Sequence, residues 1–169
     1  MKHKILNKVP SLSYFICSLA GIGYFPKAPG TFGSLASVVL AWALIHRIGF
    51  SFISFCALLL ALLVLGIIAS TQILKKNKSK DPSFIVIDES VGQWIALLPC
   101  YDLSFFWWII ALIGFRLFDI WKPGPIGWID QRTTGSPLLR SFLVMADDML
   151  AGIVTALLIL GAYCLFGSN

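Results

Sequence analysis

The chain has 169 residues, of which 58% are hydrophobic and 12% are charged, and its mean hydropathy is +0.87. Soluble domains carry about 25% charged residues, so this sequence has too few charges to cover a water-facing surface and too much apolar content to be disordered. In so apolar a chain, the net charge of +5 indicates membrane topology and attraction to anionic lipids. We therefore expect a membrane protein with no nucleic-acid partner.

Stretches without charge predict the helices in chain order. Pro10 and several serines and glycines interrupt residues 9–26, so we predict a helix at the membrane interface there, with a crossing segment as the open alternative. The predicted membrane-embedded segments are 32–46, 50–74, 84–99, 103–121 and 146–166, some of them shorter than the roughly 20 residues that cross a bilayer outright. The predicted fold is all-α, a single polytopic domain over residues 1–169 with about four to five embedded helices and an N-terminal interfacial helix.

The charges indicate how these segments are oriented. With the N-terminus in the cytoplasm and alternating crossings, twelve of the thirteen lysines and arginines fall inside and only Arg47 falls outside, as the positive-inside rule requires. A signal peptide cleaved near residues 18–20 would export Lys27 and conflict with this map. Seven of the eight carboxylates also fall inside, Asp102 being the exception. The positive-inside rule does not require acids on the inner side, so their concentration there predicts a shared site at the inner surface.

Three acidic positions lie near the predicted cytoplasmic ends of these segments. Asp88 and Glu89 open the third segment, Asp119 closes the fourth, and Asp147 and Asp148 open the fifth. Carboxylates at membrane depth are costly unless they are paired or bind a cation, and oxygen ligands from several helices suit Mg²⁺. The alternative to a cation site is that acids in the first turn of a helix interact favourably with the helix dipole. This does not explain Asp119, which lies at a predicted helix C-terminus. We predict a Mg²⁺ site formed by these carboxylates.

Two glycines accompany the acids. Gly92 follows Asp88 by four residues, and Gly152 follows Asp148 by four residues, so each glycine lies on the same helix face as its acid, one turn deeper. Small residues allow close packing of membrane helices. Close packing at these glycines would bring the acids within reach of one metal ion, although ordinary helix packing uses the same residues.

Basic residues adjoin the acids. Arg116 and Lys122 lie one turn on either side of Asp119, and Arg132 and Arg140 lie in the predicted loop that follows. A phosphate beside a metal ion needs such cations, but a structural salt bridge with Asp119 explains Arg116 equally well. We expect Arg140 to be a solvated loop residue near lipid headgroups.

The stretch of residues 21–35 is rich in glycine and proline and leads into the first embedded helix. Backbone N–H groups at a helix N-terminus bind phosphate. The simpler alternative is a capped turn, in which the hydroxyl of Thr31 or Ser34 caps the helix. His3 and His46 lie outside every cluster, which disfavours histidine-based chemistry and leaves metal-assisted hydrolysis by water.

Four motifs together resemble the phosphatidylglycerophosphatase A family of bacterial membrane enzymes. They are GIGYFPKAPGTFGSL (21–35), IVIDESVGQWIAL (85–97), FRLFDIWKPGPIGWID (115–130) and DDMLAG (147–152). The resemblance implies Mg²⁺-dependent removal of the terminal phosphate from phosphatidylglycerophosphate, a membrane lipid, to give phosphatidylglycerol. It also implies a location in the bacterial inner membrane, with the active site facing the cytoplasm.

The predicted site contains metal ligands, catalytic residues and phosphate-binding residues. The predicted metal ligands are Asp88, Glu89, Asp119, Asp147 and Asp148. The predicted catalytic residues are Asp88, Glu89, Asp119, Lys122 and Asp148, and the predicted phosphate-binding residues are Lys27, Gly30, Thr31, Arg116, Lys122 and Arg132. The alternative function is a small transporter or ion channel that uses the acidic cluster to bind cations, for which ionisable groups near mid-membrane are expected.

Overall fold

The computed structural model describes residues 11–76, 82–132 and 134–166, and within these ranges it contains helices and no strand. The all-α prediction is confirmed. Short 3₁₀ turns cover Ile22–Tyr24 and Leu98–Cys100. The α-helices are α1 (Ser11–Cys17), α2 (Pro29–His46), α3 (Phe52–Leu74), α4 (Ile87–Leu97), α5 (Phe105–Trp121), α6 (Pro125–Asp130) and α7 (Pro137–Phe166). The basic residues Lys2, Lys4, Lys8, Lys78 and Lys80 and the acid Asp81, which the predicted topology used, lie outside the described residues.

Within the described ranges, three helices, α2, α3 and α7, are long and apolar enough to cross a membrane. Helix α4 has 11 residues and α5 has 17, so the predicted count of four to five embedded helices is not confirmed. Helix α1 has only 7 residues and packs on α3, where the Ser13 hydroxyl donates to Gln72 Oε1 at 2.8 Å. The helix predicted over residues 9–26 is therefore shorter and ends at Cys17.

Two predicted helix starts are wrong. Helix α7 begins at Pro137 and not near residue 146, so Asp147 and Asp148 lie well inside the helix and the first-turn explanation fails for them. Helix α2 begins at Pro29, a favourable first position for proline. Neither Thr31 nor Ser34 caps it, since the Ser34 hydroxyl donates to the Gly30 carbonyl at 3.0 Å, as a residue inside the helix does.

Helix α4 forms the centre of the bundle. It packs most extensively against α7 and also contacts α2, α3 and α5. Its buried Trp94 donates from Nε1 to the Ser37 carbonyl on α2 at 2.9 Å, and its ring packs tilted against Phe55 of α3, with ring centroids 4.9 Å apart. This core fixes α4 between its neighbours, so that residues at its first turn are held rigidly.

The helices connect two ends of the molecule. At one end, the Tyr101 hydroxyl donates to the Phe50 carbonyl at 2.6 Å, and the rings of Trp107 and Tyr163 lie 5.7 Å apart. We call this the aromatic end. The start of α4, the end of α5 and the first half of α7 lie at the opposite end, which we call the acidic end because Asp88, Asp119 and Asp148 lie there.

Candidate active site

Three carboxylates from two helices meet at the acidic end. Asp88 and Glu89 lie in the first turn of α4, and Asp148 lies on α7. One oxygen from each of the three carboxylates lies within 4.8 Å of the others. Asp88 and Asp148 are buried, with 5% and 4% of their surfaces exposed. Such crowding of like charges in a buried place requires a compensating cation or proton.

Glycines allow this approach of α4 and α7. A Cβ atom added at Gly92 would lie 2.5 Å from the backbone oxygen of Asp148, and one added at Gly152 would overlap the carbonyl oxygen of Gly92. The two helices therefore touch backbone to backbone one turn below the acids. The close packing predicted from the glycine spacing is confirmed.

The three carboxylates open into a cavity that is strongly polar. Among the described residues, six acids and three basic residues line it, together with Leu143 and Val144. The acids are Asp88, Glu89, Asp119, Asp130, Asp147 and Asp148, and the basic residues are Lys122, Arg132 and Arg140. The arrangement combines a region of excess negative charge with nearby cations, as a site for a metal ion and a phosphate requires.

Arg116 connects this cavity to α2. Its Nη1 atom lies 2.5 Å from Asp119 Oδ2 and 3.5 Å from the Ser34 hydroxyl. Gly30 lies beside it: an added Cβ there would lie 3.2 Å from Arg116 Nη1 and would overlap Glu89 Oε1. The salt bridge that the sequence offered as an alternative role for Arg116 is therefore present, and the start of α2 packs directly against the acids.

Lys122 joins three elements at the cavity. It ends α5 in the left-handed conformation, with φ of 48°, and Pro123 follows. Its Nζ donates to Asp147 Oδ2 at 2.6 Å and to Asp130 Oδ1 at 3.0 Å. Burial by itself lowers the pKa of Lys122, but the hydrogen bonds and charges of these two carboxylates outweigh it and raise the pKa above its usual value. The ammonium group therefore stays charged at neutral pH.

Two arginines complete the basic side of the cavity. The Arg132 guanidinium lies over the Trp128 ring, 3.7 Å from its centroid. Arg140 lies in the first turn of α7, where its Nη2 atom donates to the Leu74 carbonyl at 3.3 Å. The expectation that Arg140 is a solvated loop residue is wrong, because the early start of α7 directs it into the cavity.

The structure gathers most, but not all, of the predicted site residues. Lys27 and Thr31 are exposed and do not line the cavity, in contrast to Gly30, which is buried beside Glu89. The cavity also contains Asp130 and Arg140, which the sequence analysis did not assign to the site. The signal for Asp130 was its place at the end of the motif 115–130, but only the turn at Lys122 brings it back to the cavity.

Two buried carboxylate oxygens fit a cation. Glu89 Oε2 and Asp147 Oδ1 are shielded from solvent and have no hydrogen-bond partner among the described residues. A buried carboxylate oxygen without a donor is costly, and a divalent cation with oxygen preference would satisfy it. The donor set therefore fits Mg²⁺, which commonly binds through a few carboxylates and retains water molecules.

Comparisons with known proteins identify the family of the chain. Residues 15–163 match the family model of phosphatidylglycerophosphatase A. The chain is 32% identical over 136 residues to the phosphatidylglycerophosphatase A of Escherichia coli (80% of this chain and 74% of the relative), and 36% identical over 140 residues to that of Haemophilus influenzae (82% and 81%).

A further relative, from Bacteroides thetaiotaomicron, is 35% identical over 151 residues and covers 87% of this chain and 91% of its own length. Its name carries a provisional phosphatidylinositol-3-phosphatase assignment. No solved structure matches the chain. The extent of the family match and the identity to these relatives establish that the chain belongs to the phosphatidylglycerophosphatase A family and is a hydrolase of phosphoric monoesters.

Proposed function

We propose that this protein removes the terminal phosphate of phosphatidylglycerophosphate in a Mg²⁺-dependent reaction and so produces phosphatidylglycerol, as a step of phospholipid biosynthesis. We place the reaction at the cytoplasmic leaflet of the bacterial inner membrane. The observation that carries the proposal is the convergence of Asp88, Glu89 and Asp148 within 4.8 Å in a cavity that also presents lysine and arginine.

The acids have different roles in this proposal. Asp119 is paired with Arg116, and one oxygen of Asp147 is paired with Lys122. Asp88, Glu89 and Asp148 would hold the metal ion, and Asp147, whose Oδ1 has no hydrogen-bond partner among the described residues, lines the same cavity. When bound, Mg²⁺ supplies charge stabilisation at the phosphate and lowers the pKa of a water molecule.

The basic residues act on the phosphate. Lys122, Arg132 and Arg140 line the same cavity as the acids, so a phosphomonoester there would meet three cations. Charge-assisted hydrogen bonds from these groups would orient the phosphate and neutralise the charge that develops on its oxygens. Arg116 and Gly30 lie behind this lining, against Asp119 and Glu89 respectively.

The position of the acidic end supports the cytoplasmic leaflet. Among the described residues, this end contains Lys75, Lys76, Arg116, Lys122, Arg132 and Arg140, whereas Arg47 lies near the aromatic end. Excess lysine and arginine favours the cytoplasmic side. A site at headgroup depth also lets the lipid keep its acyl chains in the bilayer while its phosphate enters the cavity.

The choice of lipid is best tested directly. Purified protein in detergent micelles should be assayed for phosphate release from phosphatidylglycerophosphate, phosphatidylinositol-3-phosphate and phosphatidic acid, with Mg²⁺ and with EDTA. We expect the highest kcat/KM for phosphatidylglycerophosphate and no release in EDTA. A higher value for phosphatidylinositol-3-phosphate would replace the proposed substrate, and full activity in EDTA would contradict the metal role.

A further inference from the structure

A groove lined only by apolar side chains runs between α2 and α5. It encloses about 310 Å³, within the range of about 300–1,000 Å³ that is typical of ligand pockets. Its walls include Leu35, Val39 and Trp42 from α2 and Phe105, Ile109 and Leu112 from α5. The accessible atoms that the described residues present to the groove are apolar, which suits a hydrocarbon occupant.

The groove begins where the polar site ends. Leu112 precedes Arg116 by four residues on α5, and Leu35 follows Ser34 on α2, while Arg116 Nη1 lies 3.5 Å from the Ser34 hydroxyl. The Arg116 and Ser34 contact therefore separates the acidic cavity from the groove. From Leu112 the groove continues along α5 to Phe105, which is about 10 Å at 1.5 Å per residue.

The order of chemical groups along α5 matches the order within a phospholipid phosphomonoester. From the acidic end, the structure presents carboxylates and Lys122, then the Arg116 guanidinium, then hydrocarbon. Phosphatidylglycerophosphate, the proposed substrate, presents a terminal phosphate, then a phosphodiester, then acyl chains. We propose that one acyl chain of the substrate lies in the groove between α2 and α5, with its phosphodiester near Arg116. This inference rests on the proposed function.

This arrangement assigns a specific role to the groove. The chain would be held along the helices, in the direction that acyl chains take in a bilayer, while the terminal phosphate reaches the acidic cavity. Binding energy from the acyl chain would then orient the headgroup, which is the usual use of remote contacts in catalysis. A substrate without acyl chains should consequently react poorly.

The test uses two matched tryptophan variants on α5. Ile109 lines the groove and is 42% exposed, whereas Ile113, one turn along, is 55% exposed and does not line it. We expect Ile109→Trp to lower kcat/KM for long-chain phosphatidylglycerophosphate by about tenfold or more, since small changes in pocket fit have such effects. We expect Ile113→Trp to behave as the wild type, and both variants to match it on the deacylated headgroup.

A second measurement uses the wild type, so that it does not depend on how a variant folds. Phosphatidylglycerophosphate with a diazirine near the middle of one acyl chain should label the residues that line the groove, among them Leu35, Val39 and Trp42 on α2 and Phe105, Ile109 and Leu112 on α5. Labelling spread evenly over other apolar surfaces, such as the groove lined by Phe15, Leu62 and Leu65, would overturn the inference. So would equal kinetics for the two tryptophan variants on the long-chain lipid.

Failure of the two proposals can be told apart. The wild type could release phosphate from the lipid while the labelling is not concentrated in the groove and the two tryptophan variants have equal kinetics. In that case, only the acyl-chain inference fails. If the wild type releases no phosphate from any phospholipid phosphomonoester, the proposed function fails and this inference fails with it.

Discussion

The contact between α4 and α7 at Gly92 can be tested by adding a single methyl group. In Gly92→Ala, the new Cβ would lie 2.5 Å from the Asp148 backbone oxygen and 2.6 Å from Phe115 Cε2. Ordinary contacts lie near 3.5 Å, so the two helices must separate by about 1 Å. The atom in the way belongs to the backbone of the residue that carries one of the clustered carboxylates, so the shift acts directly on the site.

The size of the expected effect follows from the geometry. Overpacking of this kind costs about 1–3 kcal/mol of stability. A metal site tolerates changes of about 0.2 Å in ligand distance, and a misplacement of about 1 Å can cost about 100-fold in rate. We therefore expect Gly92→Ala to fold with a lower Tm and to lose about 100-fold in kcat for phosphate release.

The matched control is Gly161→Ala. Gly161 lies in α7, and an added Cβ there would meet nothing within 4 Å. Alanine is favoured over glycine inside a helix by about 0.5–1 kcal/mol, so this variant should be as stable and as active as the wild type. The assay is phosphate release in detergent micelles, with thermal unfolding followed on the same preparations. Activity of Gly92→Ala within twofold of Gly161→Ala would refute the reasoning.

Substitutions at three further positions test other parts of the account. Lys122→Met should lower Tm and reduce phosphate release by about tenfold or more, since it leaves the buried Asp147 without its partner. Lys122→Arg keeps the charge and should recover part of the activity. Equal activities of the two variants would contradict a role for the charge of Lys122. Trp128→Leu removes the cation–π contact with Arg132, which is worth about 0.5–1 kcal/mol, so KM should rise about two- to fivefold with kcat unchanged. Trp128→Phe should restore part of the loss. A change in kcat alone would contradict the role of Arg132 in binding the phosphate. The buried Ser141 hydroxyl on α7 donates to the Ile67 carbonyl on α3 at 3.0 Å. Ser141→Ala removes this hydrogen bond and should cost about 0.6 kcal/mol in thermal unfolding with normal kinetics. Loss of activity would contradict a purely structural role for this contact.

Much of the site could be predicted from the sequence because its signals are local. The helix start before Asp88 follows from the charges that precede an apolar run, and the spacing of Gly92 after that acid identifies the face that meets α7. The long apolar run of residues 48–74 predicts α3 almost completely. In each case, a few neighbouring residues contain the information.

Other features depend on contacts between distant segments. Arg140 interrupts the apolar pattern before Asp147, and this interruption is typical of a loop. In the structure, the charge is accommodated inside α7 because Arg140 faces the cavity and the Leu74 carbonyl. Asp130 reaches the site only because α5 ends in a left-handed residue at Lys122 and α6 turns back. Sequence patterns indicate that a residue is charged, but they do not indicate that it faces inward.

The most direct test of the central claim is a measurement of metal binding at the clustered carboxylates. Mn²⁺ can serve as a spectroscopic probe for the Mg²⁺ site, with binding to the purified protein followed by electron paramagnetic resonance and by competition with Mg²⁺. We expect the wild type to bind Mn²⁺ and Asp148→Asn to lose that binding. The control Asp102→Asn, at an exposed acid next to Tyr101 at the aromatic end, should bind as the wild type does. Equal Mn²⁺ binding by the wild type and Asp148→Asn would contradict the account.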